Sequence, residues 1–255
     1  RHRSADLVGI LNGVDLEDWD PRTDRLIPAP YSAKDLSGKA ACKAALQRAF
    51  GLPEDPKVPV VGMVSRLADQ KGIAELFGPS YGSAASICEG MALQFVVQGS
   101  GEKWCEAELS SLAARIPNFK ARIGYNEATA HLIEAGADFF MMPSRYEPCG
   151  LNQMYSLRYG TLPIVRRTGG LADTVENYDE ESGGGTGFMF DDLTPRAVFD
   201  TTGWAVWVWY NRPERLRAMR KRAMEKDFSW DRPAGEYAKL YGRALERSAA
   251  RGWPI

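Results

Sequence analysis

The stretch that decides the fold runs from Asp138 to Gly170 and reads DFFMMPSRYEPCGLNQMYSLRYGTLPIVRRTGG. It begins with a short apolar run, continues through a polar loop into a helix-like run, and reaches a second apolar run that ends in two glycines. Short apolar runs joined by a helix are typical of neighbouring strands in a parallel sheet, because both faces of such a sheet are buried. The stretch therefore predicts a strand, helix and strand in that order.

The same alternation recurs along the chain. We predict six strands, at Val58–Val64, Ala92–Val97, Lys120–Tyr125, Asp138–Met142, Leu162–Val165 and Gly187–Phe190. The spacing between most of them leaves room for a helix, which predicts an α/β fold with helices on both faces of a parallel sheet.

Two later segments carry helix signals of their own. Thr194 followed by Pro195 is typical of a helix cap with proline at the first helical position. In Pro213–Phe228, the apolar residues predicted to share one buried face are Leu216, Met219, Ala223, Met224 and Phe228. The basic residues off that face, which we expect on a solvated surface, are Arg217, Arg220, Lys221 and Lys226.

Composition limits the class of protein. The chain has 255 residues, 44% of them hydrophobic and 25% charged, with a formal net charge of −1. These values are ordinary for a globular protein and give no basic excess of the kind that nucleic-acid binding usually needs. No apolar run approaches the ~18 residues of a membrane span. The four separated cysteines and two histidines disfavour a zinc site and a disulfide framework, and they indicate a reducing compartment. The first residue is not methionine, so we expect a longer parent protein.

Ligands of open parallel sheets bind at the carboxyl ends of the strands. The five segments that leave predicted strands are rich in glycine and polar residues: Ser65–Gly72, Gln98–Glu102, Gly124–Glu127, Pro143–Gly150 and Arg166–Gly170. All five are therefore expected to line one crevice.

The first of these segments places Arg66 and Lys71 close together. An arginine fork and a lysine point charge together suit a diphosphate, although two solvated surface cations are the alternative. Gly99–Glu102 lets the backbone approach a ligand, or is an ordinary tight turn. Tyr125 is either a platform for a base or a core residue. For the aromatic run Trp204–Tyr210, core packing is favoured over a platform for sugars.

Glu147 has an unusual setting. Pro148 favours an extended backbone at Glu147, and Gly150 permits a sharp turn before a helix that begins near Leu151. Free amides in the first turn of a helix favour a bound phosphate, which would repel a neighbouring carboxylate. A carboxylate that binds sugar hydroxyls beside amides that bind the diphosphate of the same ligand resolves this conflict. The setting therefore points to a nucleotide sugar.

Several motifs together resemble bacterial glycogen synthases and plant starch synthases. The motifs are NGVD (Asn12–Asp15), SRLADQKG, GSGE, IGYNE, the block from Ser144 to Val175, and DFSW (Asp227–Trp230). The similarity extends from about Gly9 to Leu245, and the block from Ser144 to Val175 is the most specific part.

The resemblance implies a retaining glucosyltransferase with two Rossmann-like domains, the GT-B fold. Such an enzyme moves glucose from ADP-glucose to the non-reducing end of an α-1,4-glucan. This chain would be its C-terminal, donor-binding half, with residues 1–20 as an interdomain segment, 21–229 as the nucleotide-sugar domain, and 230–255 as a helix crossing to the N-terminal domain. The alternatives are a nucleotide-binding module inactive on its own, and a related GT-B enzyme with another donor or acceptor.

The resemblance also implies roles for residues. Arg66 and Lys71 would bind the diphosphate and stabilise its departure, Tyr125 would stack on adenine, and Glu147 would be essential and contact the donor glucose. The other implied nucleotide- or sugar-binding residues are Gly99, Gly101, Cys149, Gly150, Leu151, Asn152, Thr168, Gly169 and Gly170. Because the cations stabilise the leaving ADP, the resemblance implies neither a metal nor a cofactor.

Two features depart from wider GT-B patterns. Tyr155 stands eight residues after Glu147, where many relatives of this fold carry a second glutamate, and this substitution fits the glycogen synthase subfamily. No K-x-G-G-L motif is found near the start, and His2 and His131 are poor substitutes for the histidine of an N-terminal domain. The expected partners are ADP-glucose or ADP, an α-1,4-glucan and that domain, with no nucleic acid and no membrane. The expected location is the cytoplasm of a bacterium or the plastid of a plant.

Overall fold

The computed structural model describes residues 6–250, and its centre is a sheet of six strands. The strands are β1 (Val60–Leu67), β2 (Gln94–Gly101), β3 (Phe119–Ile123), β4 (Phe139–Met142), β5 (Leu162–Arg166) and β6 (Phe188–Phe190). Their order is β3-β2-β1-β4-β5-β6, and every neighbouring pair is parallel. All six predicted strands are confirmed, and β1 and β2 extend beyond their predicted ends.

Helices cover both faces of this sheet. They are α1 (Ser37–Ala49), α2 (Ile73–Phe77), α3 (Ser83–Gly90), α4 (Lys103–Arg115), α5 (Glu127–Gly136), α6 (Asn152–Arg158), α7 (Gly169–Thr174), α8 (Pro195–Asn211), α9 (Pro213–Met224) and α10 (Asp231–Ala250). A short 3-10 helix, Asp69–Lys71, follows β1. Within the described residues, no helix is both long enough and apolar enough to cross a membrane.

The central strand β1 is paired on both edges. Val61 and Gly62 lie opposite Phe139 and Phe140 of β4, and the full length of β1 pairs with β2. Gly62 lets α5 pack closely on the sheet, because a Cβ there would meet Ile133. Large aromatic side chains fill the core on either side of these strands, including the buried Phe95, Phe119, Phe139 and Phe188.

The predicted helix signals hold in the structure. Thr194 caps α8, since its side chain accepts a hydrogen bond from the Ala197 amide at 3.1 Å. Leu216, Met219, Ala223 and Met224 are buried along α9, as predicted. Phe228 lies beyond the end of that helix and is partly buried against the core.

Arg220 corrects the prediction of a solvated basic face on α9. Its side chain is only 14% exposed, and its Nη2 lies 2.5 Å from Oδ1 of Asp138. Asp138 is buried just before β4 and also binds Lys43 Nζ at 2.7 Å. A carboxylate removed from water needs compensating charge, and Arg220 supplies part of it. Arg217 and Lys221 are exposed, as predicted.

The aromatic run on α8 divides between core and surface. Trp204 packs edge-on against Phe188 with ring centroids 5.2 Å apart, and Trp209 also packs against the core. Trp207 and Tyr210 are 42% and 45% exposed. The prediction of core packing is therefore right for only part of the run.

The segment near the start of the described chain contacts the segment that precedes α10. The Val14 amide donates to the Phe228 carbonyl oxygen at 2.8 Å, and a Cβ on Gly13 would meet the backbone of Trp230. The α10 helix follows directly, and Pro233 is its buried residue, while Tyr241 and Leu245 are 62% and 50% exposed. His2 lies outside the described residues.

Candidate functional site

A cavity of about 510 Å³ opens where β1 and β4 end. Predicted site residues that line it are Arg66, Lys71, Glu147, Cys149, Gly150, Leu151 and Asn152. Of the five loops expected to line one crevice, those after β1 and β4 line this cavity.

Glu147 and Lys71 form an ion pair in this cavity. Nζ of Lys71 lies 2.5 Å from Oε2 of Glu147, and the Ser144 hydroxyl donates to the same oxygen at 3.3 Å. The side chains are 8% exposed for Glu147 and 19% for Lys71. A buried carboxylate is thus placed against a cation that still reaches solvent.

Gly72 fixes the turn that presents Lys71. The 3-10 helix Asp69–Lys71 ends at Gly72, whose φ of +67° is a left-handed conformation that favours glycine. A Cβ at this position would also overlap the carbonyl oxygen of Pro143. Glycine therefore lets the loop after β1 touch the loop after β4.

Arg66 lies near the end of β1 with an exposed side chain. Its Nη2 donates to Oε1 of Gln70 at 3.3 Å, a long hydrogen bond that joins the two ends of the same loop. Arg66 and Lys71 both line the cavity, so two cationic residues border the same space.

The loop before α6 turns sharply at Gly150, where φ is +74°. The helix begins at Asn152, one residue later than predicted, and no side chain caps its first turn. Nδ2 of Asn152 donates to the Val64 carbonyl oxygen at 2.8 Å, which ties the helix to β1. The backbone from Gly150 to Asn152 therefore borders the cavity in a fixed position.

Gly169 and Gly170 lie behind this loop instead of in the cavity lining. The Gly170 amide donates to the Glu147 carbonyl oxygen at 2.9 Å, and a Cβ on either glycine would overlap a carbonyl oxygen of the loop. Thr168 is the residue before α7 and has an extended backbone. The two glycines, which the resemblance assigns to ligand binding, therefore lie against the protein's own loop at Glu147 and Cys149.

Gly99 and Gly101 lie on β2 and Tyr125 follows β3, and all three are outside the cavity lining. Gly99 and Gly101 pair with Ser65 and Leu67, and a Cβ on either would overlap the carbonyl oxygen of its partner. Tyr125 follows β3 and is 68% exposed. The core alternative for Tyr125 is therefore wrong, and its ring faces solvent.

Three residues that were not predicted from the sequence also shape the cavity. Asn12, Gln70 and Ser144 line it. Asn12 belongs to the quoted NGVD motif, but its distance along the chain gave no reason to assign it to this site. Gln70 and Ser144 lie within two quoted loops, where only the charged side chains stood out.

Tyr155 and His131 stack on opposite sides of Trp19. The ring of Trp19 lies 3.7 Å from that of His131 and 4.0 Å from that of Tyr155, both nearly parallel. Nδ1 of the buried His131 is 2.8 Å from Oδ2 of Asp24. This stack anchors the segment before α1 to α5 and α6.

Comparisons with known proteins agree with this architecture. The family model for "Glycosyl transferases group 1" matches residues 46–206. The glycogen synthase of Treponema denticola is 60% identical over 98% of this chain and 51% of its own length. Glycogen synthase 1 of Geobacter metallireducens is 54% identical over 97% of this chain and 48% of its own length.

A solved structure gives the same result. The catalytic domain of starch synthase IV from Arabidopsis thaliana, bound to ADP and acarbose, superposes with a TM-score of 0.87. It is 33% identical, over 96% of this chain and 50% of that one. The chain thus spans about half the length of the relatives it matches, and the predicted fold, a Rossmann-like half of a GT-B glycosyltransferase, is confirmed. The chain belongs to the group 1 glycosyl transferases and resembles the glycogen and starch synthases among them.

Proposed function

We propose that this chain is the donor-binding, C-terminal domain of a glycogen or starch synthase. The parent enzyme transfers glucose from ADP-glucose to the non-reducing end of an α-1,4-glucan with retention of configuration. The observation that carries this proposal is the convergence of Arg66, Lys71 and Glu147 on one cavity at the carboxyl ends of β1 and β4. The similarity to glycogen synthases and to a starch synthase bound to ADP supports it.

The ion pair in the cavity suggests how a nucleotide sugar is held. Lys71 and Glu147 are each other's partners in the structure. A diphosphate would compete with Glu147 for Lys71, and sugar hydroxyls would compete with Lys71 for Glu147. Donor binding thus exchanges one internal pair for two contacts to the same ligand.

The two cations would also assist bond breaking. When the bond between the anomeric carbon and the phosphate oxygen breaks, ADP leaves with the electron pair and gains negative charge. Arg66 and Lys71, fixed beside the diphosphate, stabilise this charge more than that of the intact donor, which lowers the barrier. The glucan hydroxyl then forms the new bond at the same carbon, and its proton passes to the departing diphosphate.

The remaining predicted residues have supporting roles in this proposal. The exposed ring of Tyr125 stacks on adenine, and the backbone from Cys149 to Asn152 contacts the phosphate and sugar. Gly99, Gly101, Thr168, Gly169 and Gly170 shape the surrounding backbone.

The domain division is also a proposal. Residues 1–20 connect to an N-terminal domain, 21–229 hold the nucleotide sugar, and 230–255 return to that domain. The hydrogen bond between Val14 and Phe228 supports two adjacent crossings. The exposed Tyr241 and Leu245 of α10 support packing against further protein. The bacterial relatives support a cytoplasmic location.

Binding and transfer assays test this proposal together. Calorimetry on the 255-residue chain is expected to show binding of ADP-glucose and ADP, and weaker binding of the UDP- and GDP-glucose donors. Glucose transfer to glycogen is expected only from an enzyme that also contains the other half of the relatives' length. Failure to bind ADP would contradict the proposal, and a preference for UDP-glucose would point to a related GT-B enzyme with another donor.

A further inference from the structure

Arg145 connects the loop after β4 to the loop after β1. Its Nε donates to Oδ1 of Asp69 at 3.0 Å, and its Nη2 donates to Oε1 of Glu75 at 2.6 Å. Its backbone amide donates to the Gln70 carbonyl oxygen at 2.8 Å. Arg145 therefore binds the turn after β1 through Asp69 and Gln70, and the following helix α2 through Glu75.

The turn that Arg145 binds, residues 69–72, contains Lys71. Asp69 and Lys71 are the first and last residues of the 3-10 helix. Glu75 lies in α2, the next helix along the chain. The Glu75 side chain is 13% exposed, and within the described residues its Oε2 is buried without a hydrogen-bond partner. Because Glu75 depends on the guanidinium for its only charged contact among the described ion pairs, this link is costly to break.

Arg145 is itself held from the other side. Nη1 of Arg166, at the end of β5, donates to the Arg145 carbonyl oxygen at 2.5 Å, and Nε of Arg166 donates to the Asp191 carbonyl oxygen at 3.0 Å. The contacts of Arg145 with the Lys71 turn are thereby connected to β5 and to the segment after β6.

The second side-chain link between the charged groups of the two loops is the ion pair of Lys71 with Glu147. A nucleotide sugar would compete for both members of that pair, whereas Arg145 contacts Asp69 and Glu75, which lie outside the cavity lining. The Arg145 link can therefore persist while the ligand is bound.

We propose that Arg145 is a positioning residue, which holds the turn at 69–72 against the loop at 143–150 so that Lys71 and Glu147 keep the spacing that a nucleotide sugar requires. This role rests on the proposed function. It predicts that Arg145 affects the diphosphate through Lys71 and does not contact the ligand.

Hydrogen exchange on the 255-residue chain tests whether Arg145 holds the turn at 69–72 in place. In Arg145→Ala, the amides of residues 69–76 and of Arg145 are expected to exchange about tenfold faster, because local opening becomes easier. Arg145→Lys should give a smaller increase, since one ammonium can still bind one carboxylate. The matched control is Arg48→Ala, which removes an exposed partner of Glu54 far along the chain and should leave these amides unchanged. Unchanged exchange in Arg145→Ala would overturn the proposal.

A double-mutant cycle tests the consequence for binding. Arg145→Ala is expected to weaken ADP binding about tenfold and to change AMP binding little, because AMP lacks the second phosphate. The double variant, Arg145→Ala with Lys71→Ala, should bind ADP no more weakly than Lys71→Ala alone. Both substitutions remove the same contact, that of Lys71 with the diphosphate. Additive losses, or ADP affinity unaffected by Arg145→Ala, would overturn this role alone. A wild-type chain that binds no ADP would overturn the proposed function and this role with it.

Discussion

Two buried carboxylates at opposite ends of the sheet are both paired with cations, but their surroundings differ. Asp138, before β4, accepts hydrogen bonds from Lys43, Arg220 and the Val60 amide. Glu147, after β4, accepts from Lys71 and, more weakly, from Ser144. Lys43 and Arg220 are 7% and 14% exposed, whereas Lys71 is 19% exposed and lines a cavity beside a second cation.

A buried ion pair by itself therefore does not identify a functional site. Burial alone would raise the pKa of Asp138, but Lys43 and Arg220 hold that pKa below its ordinary value. Asp138 is therefore charged, and groups of the protein itself occupy its carboxylate, so its role is structural. Glu147 has fewer partners and lies where a ligand can replace them.

The largest expected effect is on stability, and it follows from substitution of Asp138. Asp138→Asn leaves Lys43 and Arg220 buried without their anion, and we expect a loss of about 3–5 kcal/mol in the free energy of unfolding. Chemical denaturation measures it. Asp191→Asn is the control, because its exposed pair with Arg167 should be worth at most about 1 kcal/mol. Equal losses in the two variants would remove the distinction between the two ends.

The next largest expected effect is on activity, and it follows from substitution of Glu147. Glu147→Gln, in an enzyme that also contains the proposed N-terminal domain, should lower glucose transfer about 100-fold or more while ADP binding is retained. The loss of stability should be smaller than in Asp138→Asn, because Lys71 can turn toward the water in the cavity. Transfer assays and calorimetry measure the two quantities. Loss of ADP binding from a folded Glu147→Gln variant would contradict the assignment of Glu147 to the sugar.

Lys71→Ala tests the cation that pairs with Glu147. We expect about 10- to 100-fold weaker ADP binding, because a charge-assisted contact to the diphosphate is lost. Lys103→Ala is the matched control, since Lys103 is 91% exposed and paired only locally with Glu106. ADP affinity equal to that of the wild type would show that the diphosphate lies elsewhere.

The smallest effect concerns a third buried carboxyl, Glu134, which has no ion pair among the described residues. Burial raises its pKa to about 8, although the Ser156 hydroxyl donates to Oε2 at 2.6 Å. Burial also lowers the pKa of the nearby Lys39 to about 7. Between pH 5 and 7 the folded chain therefore holds a proton on Glu134 that the unfolded chain releases, so stability falls as pH rises.

Glu134→Gln should remove this dependence. We expect the wild-type free energy of unfolding to fall by roughly 1 kcal/mol per pH unit from pH 5 to 7, and the variant to be nearly flat. Above pH 7 the two groups act in opposite directions, because the unfolded chain then holds a proton that Lys39 lacks in the folded state. Denaturation at several pH values measures both slopes, and parallel curves would mean that Glu134 is charged like Asp138.

The sheet and the loops of the site were accessible from the sequence because their signals are local. Apolar runs gave all six strands, and Glu147, Pro148 and Gly150 marked the turn before α6. The strand extensions were missed because Ser65 and Gly99 read as loop residues, yet they pair across β1 and β2.

Contacts between distant parts of the chain were not accessible in this way. Arg220 was expected in solvent because its partner, Asp138, is 82 residues away. Arg145 stood in a quoted motif, but its partners, Asp69 and Glu75, lie 76 and 70 residues earlier. Gly169 and Gly170 were expected to line the cleft, and only the structure showed that the group closest to them is the protein's own loop at Glu147 and Cys149.

The strand order has a consequence for synthesis on the ribosome. One edge of β1 meets β2, which is complete at Gly101, whereas the other edge waits for β4, which begins at Phe139. At ordinary elongation rates the intervening residues take about 2–7 s to make. During that interval the nascent chain presents an apolar strand with unpaired amides, which is the kind of edge that recruits other chains. Nascent-chain chaperones would therefore be needed most before residues 139–142 emerge.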